Sequence, residues 1–228
     1  AMRLHPVYRG KVQIAPKCPI HGLDDFAIWY TPGVAAPCRV IHENEELAYE
    51  YTNKGNLVAV VSNGTAVLGL GDIGPVAGMP VMEGKAALMA SLGSLNAVPI
   101  LVESRDPDRV VDVVAAIAPS FGAIQLEDIA APECFEIERR LQEKLSIPVL
   151  HDDQHGTAVV ALAAVRNAGR MVDQRLSQSV VGQIGLGAAG IGISRLLLAR
   201  GVETVLGADL NPAARDRLKS LGGEPAEL

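Results

Sequence analysis

Apolar and polar positions alternate along most of this chain with the spacing of helices and short strands. From residue 84 onward, amphipathic stretches are separated by short apolar runs. The predicted helices span residues 84–94, 107–118, 132–145 and 156–168, and the predicted strands span residues 98–102, 123–126 and 147–150. This order is typical of a mostly parallel sheet covered by helices.

A second series of the same kind follows a polar stretch at residues 167–178. Its predicted elements are a strand at 179–184, a helix at 188–199, a strand at 204–208 and a helix at 212–220. The change of pattern predicts an α/β protein with two domains, residues 1–155 and residues 156–228.

The part of the chain before residue 84 carries weaker signals. The first 25 residues contain three prolines and little periodicity, which indicates an extended arm. Helical spacing runs over residues 39–51. Apolar runs at residues 56–62 and 66–70, separated by Asn63-Gly64, predict a β-hairpin.

Composition and charge narrow the class of protein. Hydrophobic residues make up 49% of the 228 residues, which predicts a globular protein with a packed core. The formal net charge of −6 is spread along the chain without a basic stripe, so we expect no nucleic-acid partner. No apolar run is long enough to cross a bilayer, and the N-terminus lacks the apolar stretch of a signal peptide. We therefore expect a cytoplasmic protein without a membrane partner.

Two acidic pairs follow predicted strands. Glu127-Asp128 comes after the strand at 123–126, and Asp152-Asp153 comes after the strand at 147–150. The carboxyl ends of parallel strands converge on one crevice, where ligands bind. Carboxylates gathered at one point repel each other unless a cation neutralises them, and hard oxygen ligands favour Mg²⁺ or Mn²⁺ over Zn²⁺.

A second interpretation of the acidic pairs stays open on pattern alone. Asp is a favoured N-cap residue, so Asp128 and Asp153 could instead cap the helices that follow them. His151 and His155 flank the second pair, but no HxxxH pair backed by a Glu or Cys ligand on one helix face accompanies them, so zinc is disfavoured.

A glycine-rich turn opens the second series of elements. The motif G-x-G-x-x-G directly follows a predicted strand, opens a predicted helix, and is followed by Asp209 at the end of the next strand. The residues of the motif are Gly185, Leu186, Gly187, Ala188, Ala189 and Gly190. This context predicts the first part of a Rossmann-type domain that binds a dinucleotide.

The choice between the two nicotinamide dinucleotides depends on Asp209. An acidic residue at this position accepts hydrogen bonds from the adenosine ribose and repels a 2′-phosphate, which favours NAD. Arg215 and Arg217 lie close in sequence and leave NADP as the alternative.

Taken together, five motifs resemble those of the bacterial malic enzyme family. They occur in order between about residue 26 and residue 212. The motifs are YTPGVA at 30–35, SNGTAVLGLGDIGP at 62–75, MEGK at 82–85, LEDIAAP at 126–132 and HDDQHGTA at 151–158.

The resemblance implies a role for each candidate site residue. By position in the motifs, Tyr30 is similar to the family's general acid and Lys85 to its general base. The residues that match the family's metal ligands are Glu127, Asp128 and Asp153. Asp152 would be their neighbour and would orient Lys85 or a metal-bound water. A lysine base must be neutral, so we expect burial or the metal to lower the pKa of Lys85.

The resemblance also implies an activity and a set of partners. The expected reaction is oxidative decarboxylation of malate to pyruvate and CO₂ with reduction of NAD, by a homodimer that holds Mg²⁺ or Mn²⁺. Residues 1–155 would form the substrate and metal domain, and residues 156–228 would form part of the cofactor domain. A malolactic-type reaction that releases lactate is the alternative activity.

The sequence departs from the family's pattern in two ways. Ala90 and Asn96 stand where relatives often carry Lys and Asp, which removes charge near Lys85, and Gln125 stands where they often have Asn. The chain also shows two predicted strands of a cofactor domain that normally needs about six. It would then be a fragment, or a truncated relative acting as a non-catalytic nucleotide-binding or oligomerisation module.

Overall fold

Two parallel sheets organise residues 1–227, the part of the chain that the computed structural model describes. The first sheet has the strand order β2-β1-β3-β4. Its strands are β1 (Leu57–Ser62), β2 (Asn96–Leu101), β3 (Ala123–Leu126) and β4 (Val149–His151). All three strand pairs are parallel, which confirms the expected α/β fold.

Four helices belong to this sheet, and the sequence explains where they begin. They are α5 (Pro75–Gly93), α6 (Pro107–Ile117), α7 (Glu133–Lys144) and α8 (Asp152–Met171). Helix α6 begins with Pro at its first position, and the Asp106 side chain accepts a hydrogen bond from the Asp108 N–H at 3.0 Å. The main core packs aliphatic side chains of β1 and β3 against α6 and α7, with Ile124, Ile137 and Leu141 fully buried.

The second sheet has the order β5-β6-β7 and is also parallel. Its strands are β5 (Val180–Ile184), β6 (Thr204–Ala208) and β7 (Glu224–Pro225), with helices α9 (Ala188–Ala199) and α10 (Pro212–Ser220). The short strand β7 was not predicted. The other four elements agree with the sequence-based limits to within one residue, because strong apolar runs end there at glycine or proline signals.

The first part of the chain lies outside both cores. It contains four short helices, α1 (His5–Tyr8), α2 (Phe26–Trp29), α3 (Ala35–Glu43) and α4 (Ala48–Tyr51). Within the described chain, none of residues 1–57 is buried. The single helix predicted over 39–51 is wrong, because Asn44 has an extended backbone and its side chain accepts a hydrogen bond from the Glu46 N–H, which ends α3.

The hairpin predicted after Asn63-Gly64 is also wrong. Residues 66–70 form a tight turn in which the Val67 N–H donates to the Gly71 carbonyl oxygen. Gly69 and Gly71 have φ angles of 75° and 78°, a region that favours glycine. The apolar side chains in this segment therefore reflect a compact turn and not a second strand.

Two helices are longer than predicted. Helix α5 begins at Pro75 instead of residue 84, with Pro75 in the first turn, where no backbone N–H is needed, and with Pro80 inside the helix. Helix α8 covers residues 152–171 instead of 156–168, and so it crosses residue 155 and enters the polar stretch at 167–178. The division into domains at residue 155 stays a prediction.

Helix α8 connects the two sheets. Its first turn follows β4, and its apolar side chains Leu162 and Val165 pack against the core of the second sheet. Helices α8 and α9 approach closely where the Cα of Gly192 lies against the backbone of Gln154. Among residues 1–227, no helix combines the length and the apolar character needed to span a membrane.

The close approach at Gly192 predicts a stability effect. A Cβ at this position would lie 2.5 Å from the Gln154 carbonyl oxygen, so Gly192→Ala should force the two helices apart and destabilise the fold by about 1–3 kcal/mol. Urea denaturation followed by circular dichroism measures this change. Gly182→Ala is the matched control, because a Cβ there meets no atom within 4 Å. Equal midpoints for the two variants would contradict the prediction.

Candidate active site

The two acidic pairs meet at one edge of the first sheet. Glu127 and Asp128 directly follow β3, while Asp152 and Asp153 begin α8 directly after β4, and β3 and β4 are neighbouring parallel strands. Carboxylate oxygens of Glu127, Asp128 and Asp153 all lie within 4.8 Å of one another. The predicted convergence of these side chains is therefore present in the fold.

The backbone around Asp128 holds this cluster in place. Asp128 has a φ of 54°, a left-handed conformation that Asp tolerates better than most residues. Its N–H donates to Asp153 Oδ2 at 2.9 Å, and its carbonyl oxygen accepts from the Ala66 N–H at 3.0 Å. Asp128 Oδ2 is buried and has no hydrogen-bond partner in residues 1–227. An unpartnered buried carboxylate oxygen needs a donor or a cation.

Neither Asp128 nor Asp153 caps a helix, so that interpretation of the acidic pairs is wrong. Helix α7 begins at Glu133, five residues after Asp128. Asp153 lies inside the first turn of α8, whose N-cap position is occupied by His151 without a side-chain cap. Both carboxylates point instead into the shared cluster.

Burial and mutual repulsion change the acidity of the cluster. Burial raises the pKa of Glu127 to about 7, although the charge of Lys85 opposes this. Burial and the neighbouring Asp153 charge raise the pKa of Asp128 to about 6. Burial also opposes the charge on Asp153, but the His151 imidazole and the Asp128 N–H keep its pKa below the ordinary value. These carboxyls would suit a divalent cation, and their hard oxygens fit Mg²⁺ or Mn²⁺.

Lys85 enters the cluster from α5. Its Nζ lies 2.6 Å from Asp152 Oδ2 and 3.2 Å from Glu127 Oε1. The expected lowering of the Lys85 pKa is not produced by the protein groups alone. Burial lowers the pKa, but the hydrogen bond and charge of Asp152 and the charge of Glu127 outweigh it and raise the pKa above the ordinary value. Asp152 contacts Lys85 directly, which agrees with one of the two roles expected for it, and the role itself stays a prediction.

Two histidines and a buried glutamate lie beside Asp153. His151 Nε2 is 3.0 Å from Asp153 Oδ2, and His155 Nε2 is 2.7 Å from Glu138 Oε1. The His155 hydrogen bond keeps the pKa of Glu138 below its ordinary value against the effect of burial. The two histidines thus face carboxylates and do not form a zinc site together. Glu138 was missed in the sequence, although a charged residue beside Ile137 on the apolar face of α7 was a usable signal.

The glycine-rich turn has the geometry of a phosphate-binding loop. Gly185 has a φ of 85°, and a Cβ at Gly190 would overlap the Gly185 carbonyl oxygen. The first N–H groups of α9 follow directly, since Gly187 occupies its N-cap position. Asp209 Oδ2 accepts from the Leu186 N–H at 2.6 Å, so the acidic residue contacts this turn.

Asp209 is held by a second backbone group. Its Oδ1 accepts from the Asn211 N–H at 2.8 Å, and the two backbone hydrogen bonds lower the pKa of its carboxyl below the ordinary value. Arg215 Nη1 donates to the Asp209 carbonyl oxygen at 2.6 Å and not to the carboxylate. Each carboxylate oxygen thus accepts one backbone hydrogen bond and keeps a further lone pair.

Tyr30, the second predicted catalytic residue, lies in the first part of the chain. It ends α2, and its side chain is 67% exposed. The ion pairs that join Lys85 to the carboxylates are formed with Glu127 and Asp152 and do not include Tyr30.

Two family profiles match the chain. The profile described as "Malic enzyme, N-terminal domain" matches residues 9–142, and "Malic enzyme, NAD binding domain" matches residues 154–217. The first match covers more than half of the chain.

Named relatives agree with these matches. NAD-dependent malic enzyme 1 of Bacillus subtilis is 53% identical over 94% of this chain and 49% of the relative. The bifunctional malic/malolactic enzyme of the same organism is 48% identical over 92% of the chain and 51% of the relative. The solved NAD-dependent malic enzyme of Thermotoga maritima has a TM-score of 0.91 and 39% identity, over 99% of this chain and 62% of that one. The chain thus spans about half the length of the curated relatives that it matches.

The acidity of the cluster predicts a pH-dependent affinity for Mn²⁺. A cation must displace the protons of Glu127 and Asp128, so its affinity should rise as the pH increases through about 6 and 7, with release of protons. Calorimetry in two buffers of different ionisation enthalpy measures both quantities. Asp128→Asn should weaken binding at least about 100-fold, since Asn also tolerates the left-handed backbone. The exposed Asp108→Asn is the control, and equal losses in both variants would contradict the assignment.

Proposed function

The chain belongs to the malic enzyme family, and from that premise we propose that it carries out oxidative decarboxylation of malate to pyruvate and CO₂ with reduction of NAD⁺. The observation that carries this proposal is the contact of Lys85 with Glu127 and Asp152 at the edge where Glu127, Asp128 and Asp153 converge. A base beside a divalent cation is the arrangement that removal of a hydroxyl proton requires.

We assign the metal to Glu127, Asp128 and Asp153. The unpartnered Asp128 Oδ2 and the raised pKa values of Glu127 and Asp128 support this assignment. A bound Mg²⁺ or Mn²⁺ would supply positive charge that stabilises negative charge developing on oxygen, and a bound nicotinamide would supply the hydride acceptor.

The chain's own residues would move the protons. Lys85 would accept the proton of the malate C2 hydroxyl after giving up its own, and Asp152 at 2.6 Å would hold its amine in position. Tyr30 would protonate the carbon that loses CO₂. Tyr30 is exposed, so its hydroxyl would be free to donate a proton to a bound substrate.

We propose NAD⁺ as the dinucleotide, bound at the turn between β5 and α9. The residues assigned to it are Gly185, Leu186, Gly187, Ala188, Ala189, Gly190 and Asp209. The position of Asp209 against the Leu186 N–H supports a ribose contact and disfavours a 2′-phosphate. NADP⁺ is the second candidate. The cytoplasmic location and the absence of nucleic-acid and membrane partners stay predictions from the sequence.

We also propose a homodimer. Apolar side chains in the unburied first part of the chain are exposed, among them Val7, Ile14, Leu23 and Trp29 at 49% to 96%. Exposed apolar side chains clustered in one segment are typical of a protein interface. A second copy of the chain would remove them from water.

The proposed base predicts a loss of turnover. With malate, Mn²⁺ and either NAD⁺ or NADP⁺, Lys85→Ala should lower kcat by about 10²–10⁴-fold, because the base is removed while the metal ligands stay. The absorbance of the reduced dinucleotide and the release of CO₂ measure the two products. Lys144→Ala, at an exposed ion pair with Asp112, is the matched control. Unchanged turnover in Lys85→Ala would contradict the role.

The same assay separates the alternatives. CO₂ and lactate without net reduction of the dinucleotide would indicate the malolactic reaction, which the bifunctional relative's name makes a specific candidate. Binding of Mn²⁺ and NAD⁺ without turnover in the unmodified chain would support a non-catalytic module.

The dimer predicts a mass near twice 23.9 kDa in light scattering at micromolar concentration. The double variant Ile14→Glu with Leu23→Glu should shift the protein towards the monomer, since two charges would be buried in the interface. Leu210→Glu, at a side chain that is 86% exposed in the second half, is the control. A monomeric mass for the unmodified chain would exclude this proposal.

A further inference from the structure

A series of hydrogen-bonded, buried polar side chains lies beside Asp153. His151 and Gln154 are fully buried, and Glu138 is 4% exposed. They come from three elements: Glu138 from α7, His151 from the end of β4, and Gln154 from the first turn of α8. Buried polar groups are costly unless they are hydrogen-bonded, so the direction of each hydrogen bond here is restricted.

Glu138 determines the direction of the first side-chain hydrogen bond in this series. Its Oε1 accepts from the His151 N–H at 2.8 Å, and its Oε2 accepts from Gln154 Nε2 at 3.0 Å. An ionised carboxylate can only accept hydrogen bonds. The Gln154 side-chain amide must therefore present its nitrogen to Glu138, since the flipped amide would place Oε1 against a negative charge.

The same nitrogen of Gln154 determines the direction of the hydrogen bond to His151. Gln154 Nε2 lies 3.1 Å from His151 Nδ1. Because Nε2 is a donor only, Nδ1 must be the acceptor and carries no proton. The ring proton is then on Nε2, which is buried, lies 3.0 Å from Asp153 Oδ2 and has no hydrogen-bond partner among residues 1–227.

We propose that Glu138 and Gln154 are positioning residues that fix the tautomer of His151, so that its Nε2–H is directed at Asp153. Through these hydrogen bonds, Glu138 on α7 determines the orientation of the Asp153 carboxylate on α8 without contacting the reacting atoms. The inference rests on the proposed metal-binding role of Asp153, because a fixed carboxylate matters most where it is a ligand.

Glu138→Gln should reverse the donor and acceptor roles in this series of hydrogen bonds. The His151 backbone N–H can only donate, so the new amide must place its oxygen there and its nitrogen towards Gln154. The Gln154 amide must then flip, and its oxygen would face His151 Nδ1. This arrangement requires the proton on Nδ1 and leaves the Nε2 lone pair facing Asp153. The nearly isosteric substitution Glu138→Gln thus changes the tautomer of His151, although the side chain at residue 138 forms no hydrogen bond with the His151 ring.

The first test is the ¹⁵N NMR spectrum of the histidine rings in the full chain, with the His151 signals assigned by their loss in His151→Gln. The unmodified chain should show a protonated Nε2 and a bare Nδ1, and Glu138→Gln should exchange the two. Glu136→Gln, at an exposed glutamate of α7 that pairs with Arg140, should leave the pattern unchanged. A protonated Nδ1 in the unmodified chain, or an unchanged tautomer in Glu138→Gln, would overturn the proposal.

The second test is Mn²⁺ affinity by calorimetry. Glu138→Gln should weaken binding about 10- to 100-fold, and Gln154→Met, which removes the donor at similar length, should do the same. Circular dichroism confirms that both variants fold. A changed tautomer with unchanged Mn²⁺ affinity would overturn the positioning role. Failure of the unmodified chain to bind Mn²⁺ would count against the proposed metal site, while the NMR result would still decide the tautomer.

Discussion

The repulsion among carboxylates at the ends of β3 and β4 is the constraint on which the rest of the site depends. Glu127, Asp128, Asp152 and Asp153 lie at two neighbouring strand ends, and burial makes the charges of Glu127 and Asp128 more costly. The protein offsets part of this cost with the Lys85 ammonium and with donors that face Asp153. The remaining cost is concentrated on Glu127 and Asp128, where the pKa values are raised. A charge distribution that is left incomplete in this way supports the proposed cation site.

The elements around the site follow from this constraint. The left-handed backbone at Asp128 turns its N–H towards Asp153, which an ordinary helix start would not allow. The acidic first turn of α8 is favourable at a helix N-terminus, so the same two aspartates stabilise the helix and form the site. Helix α5, with Lys85 near its middle, is held beside β1 and β2. The end of β3, the first turn of α8 and the middle of α5 therefore each place a charged side chain at the same edge of the first sheet.

Much of the fold could be predicted from the sequence where pattern and turn chemistry agree. Strand β3 and helices α9 and α10 were predicted at their observed limits, because apolar periodicity ends there at clear signals. The segment after Ser62 was not, since an apolar run in a glycine-rich turn has the same local pattern as a strand. The carboxylates and Lys85 were predicted, but Glu138 and Gln154 were not, because their importance depends on contacts between α7 and α8 that local sequence does not encode.

Gln154 belongs to two parts of the molecule at once. Its side chain takes part in the hydrogen bonds beside Asp153, and its backbone lies against Gly192 in the helix that follows the glycine-rich turn. The interior is close-packed, so a sliding motion of α9 along α8 has no free space at this contact. The packing of α8 against α9 therefore couples the position of the carboxylates to that of the glycine-rich turn, and Gln154 lies in this contact.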